Sequence, residues 1–457
     1  MIPHGEERGN EWALRCKGVY FSHGWHPAIL HIRDGRFVAV RDYDDVPAGI
    51  PIVEAGERLV LPGIVETHAH INDPGRADWE GFETATRAAA AGGITTLIDM
   101  PLNSSPVTTT VAALRQKQEA AAGRIMVDVG FHAGVIPGTS GETAGLIAAG
   151  VCGFKAFLCH SGIDEFPNAT EADLRAVLPL LAQSRVPLLV HAELLTPGAE
   201  KLERRFAAHP RSYRAYLQSR PVAWEIAAIR LLIDLCREYR TPVHIVHLAA
   251  ALEARPLIVA AKAEGLPLTV ETCPHYLYFA AEEVPDGDTR FKCAPPIRGR
   301  RQRITLRVMA AKGEIDTLGS DHSPAPPKLK HLDTGNLRYA WGGIASLQLL
   351  LPSAWTALKV PERVVAALTS KPAELAGLAD RKGSIAPGKD ADFVLFDSSK
   401  TFVVREEDLQ HRHKATPYSG RTLDGVVEAT YLRGRCIFEH GRFPDAPAGR
   451  LLTRSAS

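Results

Sequence analysis

Two histidines separated by one residue are the clearest sign of chemistry in this chain. His68 and His70 follow an apolar run that begins near Leu59. Alternate residues of an extended strand point to the same side, so the two imidazoles can chelate one metal ion where that strand ends. The Pro-Gly pair at residues 74–75 then predicts a loop. The segment therefore predicts a metal site at the end of a buried strand.

Four further residues that can bind or bridge a metal ion lie at or near the ends of predicted strands. They are Lys155 in GFKAFL, His191 in LLVHAE, His247 in HIVHLA and Asp321 in LGSDHSP. Imidazole nitrogen and carboxylate oxygen suit a divalent ion such as zinc. A single histidine at a strand end is usually a packing residue, and a single lysine is usually solvated. Lys155, however, lies among apolar residues, where an unpaired ammonium is costly. The recurrence of such residues on successive strands favours a metal site.

Eight apolar segments alternate with segments of helical periodicity after residue 60. The count, over a length of about 250 residues, is typical of a (β/α)₈ barrel, an α/β fold whose active sites lie at the strand ends. A doubly wound open sheet would give similar local patterns, so the count favours the barrel without proving it. The predicted strands are Val65–His70, Ile94–Met100, Ile125–Ala133, Val151–Leu158, Pro187–Glu193, Pro242–Leu248, Pro267–Cys273 and Ile315–Asp321. The predicted helices include Glu83–Ala91, Ala172–Ala182, Ala223–Glu238 and Leu252–Ala263.

Short strands and turns at both ends of the chain predict a second, smaller domain. Near the N-terminus, Asp34-Gly35 separates two apolar segments and predicts a hairpin. After about Ala373, a turn-rich stretch leads into further strands. These are predicted at Phe393–Phe396, Thr430–Leu432 and Cys436–Glu439. We therefore expect residues 1–60 and 374–457 to form one composite β-sandwich domain, with the barrel of residues 61–373 inserted between them.

The composition excludes several other classes of protein. The 457 residues carry a net charge of +1, so no electrostatic footprint for nucleic acid or for an anionic membrane is visible. No apolar stretch is long enough to span a bilayer, and residues 1–12 contain no apolar core of a signal peptide. The seven cysteines include no C-x-x-C pair, which indicates a reducing compartment. A cytoplasmic location is therefore expected.

The six candidate ligands and their spacing resemble the amidohydrolase superfamily, in its cyclic amidohydrolase branch of dihydroorotases, hydantoinases and allantoinases. The resemblance runs from about Val60 to Phe396 and continues more weakly to the end. It implies a hydrolase with two divalent metal ions, of which zinc is expected, bridged by a carboxylated Lys155. It also implies that Asp321 is the catalytic base and that ring opening gives an N-carbamoyl acid. By the same resemblance, one ion is held by His68, His70 and Asp321, and the other by His191 and His247.

Two positions distinguish between the rings that this branch opens. Dihydroorotases have an arginine for the substrate carboxylate where this chain has Asn72, and an amide cannot replace a planar cationic fork. Asn72 offers both a donor and an acceptor, which suits the amide and ureido groups of allantoin. Hydantoinases have a tyrosine five residues after the carboxylated lysine, where this chain has His160. The resemblance therefore implies opening of allantoin to allantoate, in purine degradation.

Longer runs of residues favour the same substrate. DWEGF (78–82), DMPLNSSPVTT (99–109), SDHSPAPP (320–327) and AWGGIASLQ (340–348) resemble allantoinase sequences. His160 and Ala325 differ from the residues expected in that family, and their effect on substrate fit stays open. Asn103 and Ala294 are further candidate substrate contacts, the latter through backbone groups only.

Two alternatives stay open from the sequence. A dihydropyrimidinase or hydantoinase is the runner-up within the enzyme class. A non-catalytic scaffold related to these enzymes is the alternative from another class, and the complete set of six ligands argues against it. Relatives in this branch are commonly tetramers, so a homotetramer that acts on a small molecule is expected by analogy.

Overall fold

The computed structural model describes residues 10–455. The first nine residues, which make up most of the segment searched for a signal peptide, lie outside this range, as do the last two. Within it, no helix combines the length and the apolar character needed to cross a bilayer.

Five strands precede the barrel in the chain. The hairpin predicted at Asp34-Gly35 is confirmed, because both residues have positive φ (51° and 77°) and the flanking strands pair antiparallel. Positive φ at two central residues is what a tight hairpin turn requires. The five strands are β1 (Glu11–Phe21), β2 (Gly24–Arg33), β3 (Arg36–Asp42), β4 (Ile52–Glu54) and β5 (Leu59–Pro62).

Parallel strands then form the barrel, and each of the eight predicted strands is confirmed as a strand position. The third position is shared by two short strands, since the chain bends at His132. The strands are almost entirely buried, as expected where helices cover a parallel sheet. They are β6 (Ile64–Ala69), β7 (Ile94–Asp99), β8 (Asp128–Phe131), β9 (Ala133–Gly134), β10 (Phe154–Phe157), β11 (Leu188–His191), β12 (Val243–Ile245), β13 (Leu268–Thr272) and β14 (Thr317–Leu318).

The barrel closes next to the predicted metal ligands. Strands β6 to β8 pair in that order, and β9 to β14 pair in theirs, all parallel. The N–H of Cys152 donates to the carbonyl of Phe131 at 2.8 Å, and the N–H of His70 donates to the carbonyl of His322 at 2.8 Å. The second of these bonds joins the end of the first strand to the segment after the last. Residues near positions 70 and 321 are thereby brought together.

A helix follows each strand position of the barrel, and the four predicted helices are confirmed. The connections after β11 and β13 are long and carry extra short helices. The helices are α1 (Phe82–Ala91), α2 (Val111–Ala121), α3 (Thr143–Ala148), α4 (Glu171–Ser184), α5 (Ala199–Ala207), α6 (Tyr213–Ser219), α7 (Val222–Tyr239), α8 (Ala251–Ala263), α9 (Pro274–Tyr278), α10 (Arg300–Lys312), α11 (Leu350–Leu358), α12 (Pro361–Leu368) and α13 (Ser370–Ala376). Short 3₁₀ helices lie at Ser140–Glu142, Ala281–Glu283, Thr289–Phe291, Leu347–Leu349 and Glu406–Asp408.

The two ends of the chain share one β-domain, as predicted. Strands β15 (Phe393–Val403), β16 (Thr422–Leu432) and β17 (Arg435–Glu439) follow the barrel, and β15 pairs directly with β5. All eight strands form one mixed sheet around a core of its own. Trp12 on β1 contacts Tyr431 on β16, with ring centroids 5.9 Å apart, although β5 and β15 lie between them. The sheet therefore curls over its core as a sandwich does.

The end of the described chain returns to the barrel. The N–H of Leu452 donates to the carbonyl of Val129 on β8 at 2.8 Å, and the N–H of Arg454 donates to the carbonyl of Gly150 at 2.9 Å. Leu452 packs with Ile98 and Cys152 in a small apolar cluster. The described tail thus closes the gap between β8 and β10. The division into residues 1–60, 61–373 and 374–457 stays a proposal.

Candidate metal centre

The ends of the first and last barrel strands bring His68, His70 and Asp321 together. His68 lies in β6, His70 follows it, and Asp321 lies three residues after β14. The Nε2 atoms of His68 and His70 lie 3.2 and 3.5 Å from Oδ1 of Asp321. One ligand atom from each residue lies within 4.8 Å of the others, and all three residues are buried. This cluster has the spacing of a single metal site.

His191 and His247 form a second cluster beside the first. His191 ends β11 and His247 follows β12 by two residues. Nδ1 of His191 lies 3.0 Å from Nε2 of His247. Burial, His191 and Lys155 lower the pKa of His247, so its imidazole is neutral and able to bind a metal. The ring centroids of His247 and His68 are 5.3 Å apart, which makes the two clusters neighbours.

Lys155 lies on β10, which follows the strand of His68 and precedes the strands of His191 and His247 along the chain. Its side chain is fully buried. Its Nζ atom has no hydrogen-bond partner among the described residues, and it lies over the ring of Phe157, 5.0 Å from the centroid. Burial lowers the pKa of Lys155 to about 8, although Asp321 and Glu271 oppose this. A buried ammonium with no partner is costly, so the neutral amine is favoured more than in an ordinary lysine.

Two buried carboxylates orient the histidines. Nδ1–H of His68 donates to Glu271 at 2.6 Å, and Nε2–H of His191 donates to Glu193 at 2.7 Å. Burial opposes ionisation of Glu193, but Arg220 and His191 hold its pKa below the ordinary value. Each hydrogen bond fixes the ring and leaves the other nitrogen as the ligand atom. These nitrogens are Nε2 of His68, which faces Asp321, and Nδ1 of His191, which faces His247.

The backbone at this end of the barrel is strained at several site residues. Asn72, Asn103, His247 and Asp321 have φ of 67°, 69°, 42° and 45°. A positive φ is uncommon for residues other than glycine, and such residues cluster at functional sites. The surrounding hydrogen bonds hold ligands in conformations that they would not adopt alone.

The donors and charges of these clusters fit a divalent metal. Burial opposes the change, but Glu271 and Asp321 raise the pKa of His68 to about 9, so the site favours positive charge at this point. Burial lowers the pKa of His70 to about 4, which leaves its imidazole unprotonated at neutral pH. The neutral imidazoles of His70, His191 and His247, the ionised carboxylate of Asp321 and the unpartnered amine of Lys155 are a donor set for divalent metal ions, and a bound cation would take the place of the proton on His68. The centre is therefore a divalent metal site.

Two other groups of possible ligands are engaged otherwise. Asp128, Asp390 and Asp392 surround the ammonium of Lys382, with distances of 2.7 to 3.0 Å. The third group, Cys159, His191 and Glu193, contacts the guanidinium of Arg220, which supplies positive charge there. In both places, the positive charge of a lysine or an arginine already compensates the acidic groups, as a metal ion would.

A cavity of about 580 Å³ opens above the candidate metal ligands, all six of which line it. Of the predicted substrate contacts, Asn103, His160 and Ala294 line it. His160 is at the exposed rim, with 62% of its side chain accessible and a 3.3 Å hydrogen bond to Asp164. Asn72 is fully buried and does not line the cavity, and neither atom of its amide has a hydrogen-bond partner among the described residues. The structure therefore separates Asn72 from the other three.

Several residues of the site have no counterpart in the sequence predictions. Glu193 lies two residues after His191, so the alternation of a strand could have indicated it. Glu271 lies in the run ETCPHYL with no comparable spacing. Arg220 and Lys292 line the cavity from long connections between strands. No local pattern indicates residues of this kind.

Comparisons with known proteins agree with this geometry. The sequence profile of the amidohydrolase family matches residues 59–437. The allantoinase of Streptomyces avermitilis is 46% identical over 449 residues, which cover 97% of this chain and 99% of that protein. The allantoinase of Arabidopsis thaliana is 44% identical over 476 residues, which cover 99% of this chain and 92% of that protein. The structure of an L-hydantoinase (dihydropyrimidinase) from Arthrobacter aurescens superposes with a TM-score of 0.90 at 30% identity, covering 97% of this chain and 100% of that one.

Proposed function

We propose that this chain, which belongs to the amidohydrolase family, opens the hydantoin ring of allantoin to give allantoate, in purine degradation. The observation that carries the proposal is Lys155, a fully buried lysine without a hydrogen-bond partner among the described residues, on a barrel strand near those that carry the two histidine clusters. The allantoinase relatives, which match nearly the full length of the chain, support the choice of substrate.

Lys155 is the bridging residue in this proposal. Its amine nitrogen bonds to the carbon of CO₂ and loses a proton, and the resulting carbamate is an anion with two oxygen ligands. The buried cation thereby becomes an anion between His68, His70 and Asp321 on one side and His191 and His247 on the other. Four imidazoles and carboxylate-type oxygens suit zinc, which is the metal we propose. When held by these residues, two such ions would polarise a scissile carbonyl and lower the pKa of water.

Asp321 moves the proton. Its Oδ1 faces His68 and His70, so Oδ2 is the atom that can take a proton from the attacking water and pass it to the leaving ring nitrogen. Although burial opposes it, His68 and His70 hold the pKa of Asp321 well below its ordinary value. The carboxylate is therefore ionised and ready to act as a base at neutral pH.

A dihydropyrimidinase or hydantoinase is the second candidate, and the likeness to a solved L-hydantoinase favours it. That enzyme is 30% identical to this chain, whereas the allantoinases of Streptomyces avermitilis and Arabidopsis thaliana are 46% and 44% identical. His160 at the cavity rim stands where the hydantoinases have tyrosine, which further favours allantoin. A scaffold without activity is the least supported alternative, because all six ligand positions carry suitable residues.

The test is a panel of rings together with metal analysis. Purified protein should contain close to two zinc ions per chain and give its highest kcat/KM on allantoin, with hydantoin, dihydrouracil and dihydroorotate below it. Removal of the metal with a chelator should abolish turnover, and added zinc should restore it. A higher kcat/KM on hydantoin or dihydrouracil would establish the second candidate instead. Metal-free protein that opens none of the rings, even with zinc added, would be a scaffold.

Two further predictions belong with this proposal. We propose a homotetramer, by analogy with the same branch of enzymes, and light scattering on the purified chain would measure the mass directly. The cytoplasmic location expected from the cysteines stays a prediction.

A further inference from the structure

The cavity wall has two arcs of different chemistry. Leu102, Phe157 and Ile163 follow or end the second and fourth strand positions, and they belong to one apolar cluster with Trp341 packed against it. Arg220 lies between α6 and α7, after the fifth position. Lys292 lies in the connection after the seventh. A ring that enters the cavity thus meets an apolar arc on one side of the barrel mouth and a cationic arc on another.

Lys292 is a half-buried cation whose hydrogen-bond partners among the described residues are carbonyl groups. Its Nζ donates to the carbonyls of Arg338 and Ala340, at 3.3 and 2.5 Å. An ammonium has three N–H groups, and beyond these two bonds the described residues offer Nζ no ion pair and only the ring of Tyr216, with its centroid at 5.6 Å, so one N–H has no hydrogen-bond acceptor. Burial and the neighbouring Arg220 lower the pKa of Lys292 to about 7. An acceptor from a ligand would stabilise this cation.

Arg220 also keeps donor capacity for a ligand. Its Nε and Nη2 atoms donate to Glu193, which in turn orients His191. Nη1 makes no hydrogen bond to any residue between positions 10 and 455. Arg220 and Lys292 both line the cavity, so this arc offers at least two N–H donors. A group that fits them presents a hydrogen-bond acceptor, and a carbonyl oxygen is one such group.

We propose that Lys292, with Arg220 beside it, binds the carbonyl oxygen of the ureido substituent of allantoin and so determines specificity for a ureido-substituted ring. The inference rests on the proposed function. With the scissile amide of the ring at the metal ligands, the substituent on the ring must reach another part of the wall. Hydantoin has the same ring without the ureido group, and it would leave these donors without an acceptor. A site built to hydrogen-bond a substrate group discriminates against the analogue that lacks it.

The test is the preference for allantoin over hydantoin in Lys292→Met. Methionine keeps the length and apolar stem of the side chain and removes the ammonium. We expect the ratio of kcat/KM for allantoin to that for hydantoin to fall on the order of 10- to 100-fold, the range for one hydrogen bond to a charged group. If hydantoin turns over too slowly, its inhibition constant against allantoin replaces its kcat/KM. Lys292→Arg, which keeps donors, should retain part of the preference.

Lys330 provides a matched control in the same wall. Its Nζ donates to the carbonyls of Trp341 and Gly343, at 3.0 and 2.8 Å, and burial lowers its pKa to about 7 as well. Lys330 does not line the cavity. Both lysines hold the segment 338–343, but only Lys292 can reach a ligand. Lys330→Met should therefore keep the ratio of wild type, even if it lowers activity on both rings.

Two outcomes would overturn the inference. Lys292→Met could keep the wild-type ratio, whether or not turnover of both rings falls, or Lys330→Met could lower the ratio as much as Lys292→Met does. Thermal melting and zinc content of both variants would show that they are folded and loaded, and Lys292→Gln replaces Lys292→Met if the latter does not fold. Wild type that prefers hydantoin or dihydrouracil would contradict the proposed function itself. Wild type that prefers allantoin, with an unchanged ratio in the variant, would contradict only the role of Lys292.

Discussion

Two fully buried lysines at opposite ends of the barrel are in contrasting surroundings. Lys382 contacts Asp128 at the start of β8, together with Asp390 and Asp392 before β15. Burial opposes the charge, yet the three carboxylates raise the pKa of Lys382. Lys155, at the end of the barrel where the histidines meet, has no hydrogen-bond partner among the described residues, and burial lowers its pKa to about 8. Three carboxylates compensate the charge of Lys382, whereas the ammonium of Lys155 has no such ion pair among the described residues.

The difference teaches where this fold is stable and where it is reactive. The N-terminal ends of barrel strands generally serve stability, and the C-terminal ends carry the active site. Lys382 joins the barrel to the small β-domain through complete ion pairing. Lys155 has no hydrogen-bond partner among the described residues and lies beside candidate metal ligands, of which His247 and Asp321 have positive φ, so we expect a bound group to complete its surroundings. The comparison predicts that substitutions at the two lysines separate activity from stability.

The largest expected effect is that of Lys155→Ala on metal binding and activity. Without a bridging anion, two cations would face each other, so most of the zinc should be lost. Loss of an outer partner of a metal ligand typically costs 10- to 100-fold in affinity or activity, and loss of a bridging ligand should exceed this. The measurements are zinc content and kcat/KM on allantoin.

A short carboxylic acid provides the control for this variant. Acetate or propionate can occupy the space of the missing side chain and supply a carboxylate, so either should restore part of the zinc and of the activity. Neither acid should change wild type. Full zinc content with wild-type turnover in Lys155→Ala would remove the bridging role.

Lys382→Met should show the opposite pattern, with stability lost and chemistry kept. Removing one partner of a buried ion pair typically costs about 3 to 5 kcal/mol. Because the folded pKa of Lys382 is raised, this stabilisation is present at neutral pH and is lost only as the pH rises through that value. Denaturant unfolding gives the free energy, and zinc per folded chain and kcat should equal those of wild type. Asp390→Asn is the milder substitution if Lys382→Met cannot be purified, and loss of zinc in either variant would contradict the comparison.

Asp321→Asn should separate metal binding from proton transfer. Asparagine keeps an oxygen that can bind the metal, so part of the zinc should remain. It cannot accept the proton, so kcat should fall by on the order of 10² or more, as is usual for a general base. The measurement is the pH dependence of kcat with zinc content monitored. An unchanged pH profile would assign the proton to another group.

The sequence predicts the residues around Lys155 much better than those around Lys382. Strand alternation and strand ends fix where a side chain points, so the sequence could predict His68, His191, His247 and Asp321 as candidates. The sequence could also predict Lys155, because a charged residue among apolar residues is anomalous. The sequence could not predict the ion pairs of Lys382, since Asp128 is separated from it by 254 residues and no local spacing connects them.

The sequence could not predict the residues of the cavity wall either. Arg220 and Lys292 lie in long connections that contain extra helices, and only the packing of those connections places them near the metal ligands. The role predicted for Asn72 rested on a family position, and the structure places this residue outside the cavity lining. Its contact with substrate stays a prediction.

The smallest expected effects concern two asparagines with unpaired amide atoms. Asn103 lines the cavity, and its Nδ2 lies 3.5 Å from Nδ1 of His70, whereas Asn72 reaches neither. Rotation of the Asn103 amide by 180° would place its oxygen against Nδ1–H of His70 when Nε2 binds metal. Glycine is the right replacement for both residues, because both have positive φ and alanine would add strain.

Asn103→Gly should weaken zinc binding about 10-fold or more, as expected for loss of a partner that orients a metal ligand, and should raise KM for allantoin. Asn72→Gly should change either quantity by less than about 3-fold, roughly 0.6 kcal/mol, because Asn72 lines no part of the cavity and has no hydrogen bond to a candidate metal ligand. The measurements are zinc competition with a chelator and KM at saturating zinc. If Asn72→Gly raised KM while Asn103→Gly did not, the sequence-based role of Asn72 would stand. An unpaired polar atom would then mark function in this barrel even where it does not reach the cavity.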